Sequence, residues 1–170
     1  SVSGSSIELS VSATTRPPRP NDIEGQDYFF ISKDKFNDLE KDEAFLESAT
    51  VHGNKYGTLK DYIESKLNAG VNLILDIDVQ GFEQIRQKDI LNTSIFIIPP
   101  SIQELKSRLL KRNEDTSEVI EARLKNAITE LSGANHYDHK ILNDNFDMAA
   151  DELYNLILSR GVQNTEAKHI

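Results

Sequence analysis

The sequence predicts an α/β protein with a three-layer architecture, in which helices cover both faces of a parallel sheet. Residues 71–77 and 94–98 are almost continuously apolar, as expected of strands that are buried on both faces of such a sheet. Segments with helical periodicity precede and follow these strands, and this alternation is typical of parallel α/β domains. The 170 residues, 38% of them hydrophobic, suit one domain with a substantial core.

The first elements are a short strand and a proline-rich loop. Leu9 and Val11 alternate with serines, which predicts a half-buried strand. The segment Arg16-Pro17-Pro18-Arg19 cannot be helical and favours polyproline II geometry. That geometry has about three residues per turn, so both arginines should project from the same side. Two guanidinium groups on a stiff backbone suit a phosphate, although a solvated surface loop is the alternative.

A small mixed β region is predicted next, inserted into the main domain. It comprises an aromatic strand at residues 28–31, a helix at 33–41 with Phe36 and Leu39 on one face, and an extended segment at 44–51. Gly53 and Gly57 then flank Tyr56.

The remaining helices are predicted from their capping signals. Thr58 is a candidate N-cap for a helix that ends at Gly70, and a short helix follows Gly81. Ser101 and Glu104 form a capping box that opens a helix to about residue 111. Further along, the pattern predicts a polar break at 113–116 and a long helix at 117–131. A strand is predicted at 140–143, followed by a final helix that is capped by Asp147 and runs to about residue 158. The polar tail at 159–170 is expected to fray.

Composition excludes several classes of function. The formal net charge of −9 argues against nucleic-acid binding. The chain has no cysteine, so disulfides and thiolate metal sites are excluded. No signal peptide and no membrane-spanning apolar run is present, which predicts a cytoplasmic location and no membrane partner. The four histidines lack zinc-type spacing and are interpreted as structural or solvated.

Four motifs in series, at residues 11–19, 25–30, 53–58 and 75–81, resemble those of guanylate kinases of the bacterial type. The resemblance implies a P-loop kinase-like fold: a five-stranded parallel sheet, an inserted mixed β GMP-binding subdomain and a helical lid. On this basis the core spans residues 1–12 and 59–170, the subdomain about 13–58 and the lid about 108–123. The implied reaction, part of purine nucleotide metabolism, transfers the γ-phosphoryl group of ATP to GMP and yields ADP and GDP, with Mg²⁺ carried by ATP.

The resemblance also implies the site residues. The GMP phosphate would be bound by Arg16, Arg19, Tyr28 and Tyr56, and guanine by Ser12, Glu47 and Thr58. Glu47 lies in an apolar setting, and guanine presents N–H donors that call for a carboxylate. Asp76 would orient the acceptor side, and Asp78 would lie near the metal without ligating it directly. The alternatives are core or edge-strand packing for the tyrosines, a surface position on a strand for Glu47, and strand-end solvation or N-capping of the next helix for the aspartates. For Arg123 the alternative is a solvated position on a helix. The proposed catalytic residues, which would close over the transferring phosphates, are Arg108, Arg112 and Arg123, and the proposed ATP-binding residues are Gly4, Ser5, Ser6 and Asn143.

Two departures from the family pattern stand out. Lys111-Arg112-Asn113 replaces the G-R-G that is frequent in the family, which affects the expected lid flexibility but not the charge. No G-x-x-x-x-G-K-[ST] loop occurs, and no lysine precedes Lys33. One explanation is that Ser5-Ser6 follows a loop that the printed sequence omits, and the other is that the protein lacks the loop.

Two functional hypotheses therefore remain open, together with the state of assembly, while a third, a kinase for another nucleoside monophosphate, is opposed mainly by Glu47, Ser12 and Thr58. The first is an active guanylate kinase, either monomeric or homodimeric. The second is a catalytically inactive guanylate-kinase-like module that binds a protein in the former GMP cleft. The absence of the loop favours the module, whereas the retained arginines and Glu47 favour the enzyme.

Overall fold

The computed structural model describes residues 6–88, 90, 92–112 and 116–161. The chain divides at residue 90 into two compact units, Ser1–Ile90 and Leu91–Ile170, which are described separately. Two of the predicted ATP-binding residues, Gly4 and Ser5, lie outside the described residues, as do most of the predicted polar break and the tail beyond residue 161.

The strands described in the first unit form two sheets. Its strands are β1 (Ile7–Leu9), β2 (Ser12–Thr14), β3 (Tyr28–Phe30), β4 (Phe45–Val51), β5 (Asn54–Leu59) and β6 (Asn72–Ile74). β1 and β6 form a parallel pair, and the others form a mixed sheet in the order β3-β2-β5-β4. Within it β2 runs parallel to β3 and antiparallel to β5, and β4 runs antiparallel to β5.

The prediction of one strand around Leu9 and Val11 was wrong. The chain leaves the parallel pair after β1, where the Ser10 amide donates to the Ile74 carbonyl at 2.8 Å, and enters the mixed sheet at Ser12. Alternating apolar residues therefore continue across a change of sheet, which periodicity alone does not reveal.

The described residues of the first unit also form three helices: α1 (Lys33–Lys41), α2 (Lys60–Asn68) and α3 (Val79–Arg86). Ser32 caps α1 by accepting a 3.1 Å hydrogen bond from the Lys35 amide. The N-cap of α2 is Leu59, so the prediction that Thr58 caps this helix was wrong; the Thr58 side chain bonds elsewhere. Gly70 follows the C-cap of α2 with φ of 79°, a left-handed conformation that glycine adopts without strain.

α3 begins earlier than the sequence predicts. Its N-cap is Asp78, whose Oδ1 accepts a 3.0 Å hydrogen bond from the Gly81 amide. Gly81 therefore lies within the first turn of the helix rather than before it. The N-capping role that the sequence left open for an aspartate is thus observed at Asp78.

The core of the mixed sheet is aromatic. Phe36 of α1 is fully buried and stacks on Phe45 of β4, with ring centroids 4.4 Å apart, over Ala13 of β2. Gly57 of β5 lies against this stack, where a Cβ would approach Phe45 Cδ1 to 2.8 Å. The close packing of ring against backbone requires glycine at this position.

The second unit contains one parallel pair and three α-helices among its described residues. Its elements are β7 (Ile95–Ile98), α4 (Ile102–Arg112), α5 (Ser117–Gly133), β8 (His139–Leu142) and α6 (Phe146–Gly161), with a 3₁₀ turn at Ala134–His136. β7 pairs with β8 from Ile95↔His139 to Ile98↔Leu142.

The caps in this unit confirm one prediction and correct another. Ser101 Oγ accepts a 3.0 Å hydrogen bond from the Glu104 amide at the start of α4. Asn145, not Asp147, caps α6, since its Oδ1 accepts from the Met148 amide at 3.1 Å. Asp147 lies in the first turn, and α6 continues past the predicted end to Gly161.

The alternation of strands and helices confirms the α/β class, and the mixed sheet is present. Among the residues that the structure describes, no helix combines the length and the apolar character needed to cross a membrane.

Candidate functional site

A buried carboxylate marks the first unit. Glu47 on β4 is only 4% exposed, and its Oε1 accepts a 2.5 Å hydrogen bond from the hydroxyl of Thr58, which is fully buried on β5. The two residues are register partners, beside an irregularity between Phe45 and Glu47. Burial raises the pKa of Glu47 above its ordinary value, and the negative charge of Asp78 adds to this effect, while the Thr58 hydrogen bond opposes it.

The N-terminal turn of α3 lies against this carboxylate. A Cβ built on Gly81 would overlap Glu47 Oε2 and lie 3.0 Å from its carboxyl carbon. The helix backbone can therefore approach Glu47 only because residue 81 is glycine. Asp78 uses both carboxylate oxygens within this turn, since its Oδ2 also accepts from Gln80 Nε2 at 2.9 Å.

A cationic group forms around Arg16. Its Nη2 lies 2.8 Å from Asp22 Oδ2, and the same oxygen accepts from the Arg19 amide at 2.7 Å. The guanidinium carbon lies 5.3 Å from the ring centroid of Tyr28 and 5.6 Å from that of Phe30. Burial lowers the pKa of Arg16, but the hydrogen bond and the negative charge of Asp22 have a larger combined effect, so the pKa of Arg16 is raised above its ordinary value. The arginine is thus held in one geometry and remains charged.

Two tyrosines adjoin this arginine. The rings of Tyr28 and Tyr56 meet edge to face, with centroids 5.8 Å apart. Burial raises the pKa of Tyr28, with a further contribution from Tyr56, so its hydroxyl keeps its proton and can donate. Asp76, which is exposed, interacts electrostatically with Tyr28, and Ser12 is the register partner of Tyr28 in the sheet.

The cationic group and the carboxylate lie on the same face of the mixed sheet. Tyr56 and Thr58 are two residues apart on β5, so their side chains point the same way, roughly 7 Å apart. Gly57 between them faces the Phe45 ring on the opposite side. One face therefore presents donors and positive charge near Tyr56 and a hydrogen-bond acceptor near Thr58, an arrangement that can bind a molecule with an anionic end and a donor edge.

In the second unit, Arg108 is anchored to the end of β8. Its Nε donates to Glu104 Oε1 at 2.8 Å, and its Nη1 donates to the Asn143 carbonyl at 2.9 Å. α4 reaches Arg112, so Arg108 and Arg112 do share one helix, as the sequence predicts. Arg123 is half-buried on α5. The structure thus brings Arg108 and Asn143 together.

Of the predicted ATP-binding residues at the start of the chain, only Ser6 is described. It is exposed, and its carbonyl accepts from the Asn72 amide at 2.8 Å, which extends the pairing of β1 with β6. Within the described ranges, no group of three or more histidine or carboxylate side chains is arranged to hold a metal ion.

Sequence reasoning missed two residues of the first unit's site. Asp22, which fixes Arg16 and the Arg19 backbone, was not distinguished from other polar residues of its loop, although it lies three residues after Arg19. Gly81 is the last residue of the motif at 75–81, and it was used only to place the start of a helix, with no role in the site. Its contact with Glu47 joins residues far apart in sequence, which no local pattern reveals.

The family model described as guanylate kinase matches residues 2–160. The chain belongs to the guanylate kinase family. Guanylate kinases from Coxiella burnetii and from Escherichia coli K12 are each 45% identical to it, over 92% and 95% of this chain and 76% and 78% of their own lengths.

A solved guanylate kinase has the same fold. The crystal structure of the enzyme from Anaplasma phagocytophilum superposes with a TM-score of 0.76 at 35% identity, and the match covers 91% of this chain and 76% of that one. The resemblance inferred from four short motifs is therefore confirmed at the level of the family and of the α/β fold.

Proposed function

We propose that this member of the guanylate kinase family transfers the γ-phosphoryl group of ATP to the phosphate of GMP, giving ADP and GDP. The observation that carries the proposal is the buried Glu47 carboxylate, held by the Thr58 hydroxyl on the sheet face that also presents Arg16 and Tyr56. A carboxylate that has lost its water needs compensating donors, and guanine supplies two in its N1–H and N2–H₂ groups.

Selectivity for guanine follows from the same chemistry. Adenine presents an acceptor at N1 and no amino group at C2, so it would leave the Glu47 carboxylate unpaired in a buried position. Sites that hydrogen-bond one substrate edge reject analogues lacking it because their own polar groups then go unsatisfied. In this proposal Ser12 and Thr58 supply hydroxyls beside the base.

The phosphate of GMP is proposed to bind Arg16, Arg19, Tyr28 and Tyr56. Charge-assisted hydrogen bonds from guanidinium groups are stronger than neutral ones, and the Arg16 fork is already oriented by Asp22. Neither tyrosine hydroxyl has a hydrogen-bond partner among the residues that the structure describes, so both can donate to a phosphate. Asp76 is proposed to orient this acceptor side.

MgATP is the proposed second substrate. Phosphoryl transfer depends mainly on alignment and on neutralising the charge of the transferring group. Arg108, Arg112 and Arg123 are the residues proposed to supply positive charge there, Ser6 and Asn143 to adjoin ATP, and Asp78 to lie near the metal. The five-stranded parallel sheet, the GMP subdomain at about 13–58, the lid at about 108–123 and a cytoplasmic location belong to the same proposal.

A coupled assay tests this function. The purified protein, supplied with MgATP and GMP, is expected to form ADP and GDP, with AMP a much poorer acceptor. Equal rates with AMP and GMP would contradict the proposed base recognition, and no transfer to any nucleotide would contradict the activity.

A non-catalytic guanylate-kinase-like module is the alternative that the sequence leaves open. A non-catalytic module that retains the GMP cleft would bind GMP in calorimetry but give no product in the assay. The two measurements, taken together with the intact mass compared with 19.2 kDa, separate the candidates.

A further inference from the structure

The strand that carries Glu47 lies at an edge of the mixed sheet. β4 is the last strand in the order β3-β2-β5-β4, so no strand within the described part of the chain pairs with its outer backbone groups. Groups of this kind need partners, and an edge strand without them is free to shift or twist. The position of Glu47 depends on how this outer side is held.

Helix α3 and Lys88, two residues beyond its end, supply those partners through side chains four residues apart. Gln80 Nε2 approaches the Thr50 carbonyl at 3.4 Å, Gln84 Nε2 donates to the Ser48 carbonyl at 2.6 Å, and Lys88 Nζ donates to the Leu46 carbonyl. Gln80 and Gln84 have this spacing within α3 and therefore lie on one side of the helix. The three acceptor carbonyls belong to alternate residues of the strand.

Gln84 makes the most complete of these contacts. While its amide nitrogen donates to the Ser48 carbonyl, its Oε1 accepts from the Ser48 amide at 3.0 Å. The side-chain amide thus pairs with Ser48 in both directions, as the backbone of a neighbouring strand would. Ser48 is the residue directly after Glu47.

The same helix touches the carboxylate itself. Gly81 lies against Glu47 Oε2, and the negative charge of Asp78, the N-cap of α3, helps to raise the pKa of Glu47. Glu47 is therefore confined between the Thr58 hydroxyl on one side and α3 on the other, while Gln84 fixes the backbone beside it.

We infer that Gln84 is a positioning residue for base recognition: by pairing with Ser48 it holds edge strand β4 at the distance from α3 at which the Glu47 carboxylate meets both donors of guanine. This inference rests on the proposed function. Gln84 does not touch the base, so its effect is on the placement of Glu47 rather than on chemistry.

The test compares Gln84→Met with wild type in calorimetric titrations of GMP and of inosine monophosphate, which lacks the 2-amino group. Methionine keeps the length of the side chain but removes both hydrogen bonds. We expect GMP affinity to fall about tenfold and inosine monophosphate affinity to fall by less, because that ligand uses only one of the two donors. The ratio of the two affinities should therefore shrink.

The matched control is Gln87→Met, the same substitution at the exposed C-cap of the same helix. It is expected to leave both affinities unchanged. Gln80→Met, at an exposed position with a longer contact to β4, should shift the ratio in the same direction by a smaller factor, and it keeps the test decisive if Gln84→Met folds poorly.

The inference is overturned if Gln84→Met loses affinity for GMP and for inosine monophosphate by the same factor, or if the ratio of these two affinities equals that of Gln87→Met. A merely structural role would lower both affinities without changing the preference for GMP. The titrations contain no ATP. Phosphoryl transfer by the wild-type chain is measured separately, so an inactive protein would refute the proposed activity without deciding the role of Gln84.

Discussion

Oε1 of Glu47 accepts a 2.5 Å hydrogen bond from the hydroxyl of Thr58, its partner on the neighbouring strand. The contact fixes the carboxylate in a place where only 4% of the residue is exposed. With one oxygen held by Thr58 and the other against Gly81, the carboxylate has little freedom to rotate.

Replacing Glu47 by glutamine should weaken GMP binding selectively. If the amide oxygen keeps the Thr58 hydrogen bond, the amide nitrogen faces the guanine donors and cannot accept from them. Losing a charge-assisted interaction costs about 1.5–3 kcal/mol, or roughly tenfold to hundredfold in Kd. Calorimetry with GMP and with ATP measures the effect, and ATP affinity should be nearly unchanged.

The matched control for this variant is Glu64→Gln, which removes the same charge from an exposed position on α2. It should leave GMP affinity unchanged. Equal losses for GMP and ATP in Glu47→Gln would show that Glu47 does not recognise the base.

The burial of Glu47 also predicts a pH dependence of stability. Its pKa is raised above the ordinary value of 4.5, so between that value and the raised pKa the native state binds more protons than the unfolded state. The free energy of unfolding contributed by Glu47 therefore decreases as pH rises through this window. Glu47→Gln lacks this decrease, so its stability relative to wild type should improve as pH rises.

Urea unfolding at a series of pH values measures this difference. Glu64→Gln, at an exposed position, should track wild type at every pH. A difference between Glu47→Gln and wild type that stays constant across the series would contradict the pKa shift.

Gly81→Ala should disturb Glu47 more than it disturbs the fold. The added Cβ overlaps the Glu47 carboxylate and lies 3.3 Å from Ile77 Cβ. Overpacking of this kind lowers the free energy of unfolding by about 1–3 kcal/mol. The clash can be relieved if the Glu47 carboxylate moves away from Thr58. We expect GMP affinity to fall by a larger factor than the equilibrium constant for folding.

Gly133→Ala is the control, because no atom lies within 4 Å of the added Cβ and the residue ends helix α5. Denaturation and GMP titration are run on both variants. The explanation fails if Gly81→Ala binds GMP as tightly as wild type.

Arg19→Ala should lower affinity for GMP through the phosphate alone. Removing one guanidinium donor is expected to weaken GMP binding about tenfold or more while leaving guanosine affinity unchanged. Arg86→Ala removes the same charge from an exposed ion pair with Glu83 and should have little effect on either ligand. Equal losses for GMP and guanosine in Arg19→Ala would place the arginine away from the phosphate.

Local signals predicted much of the candidate site. The stiffness of Arg16-Pro17-Pro18-Arg19 and the apolar neighbours of Glu47 are visible in a few consecutive residues, and they led to the family that the comparisons confirm. A threonine just before a helix is a good local N-cap candidate, which is why the sequence predicted that Thr58 caps α2, and that prediction was wrong. The structure gives its hydroxyl to Glu47, eleven residues earlier in the chain.

By itself, the sequence determined the α/β class and the approximate extent of most helices, because periodicity, caps and proline geometry act within a few residues. It also predicted which residues are proposed to bind an anion and a donor edge. Three contacts were decided only by the tertiary structure. Asp22 orients Arg16, Gly81 allows α3 to pack closely against Glu47, and Gln84 pairs with the backbone of edge strand β4. These contacts depend on how strands and helices pack across long stretches of chain. Burial then sets their strength, because a charge or hydrogen bond removed from water is costly to leave unpaired.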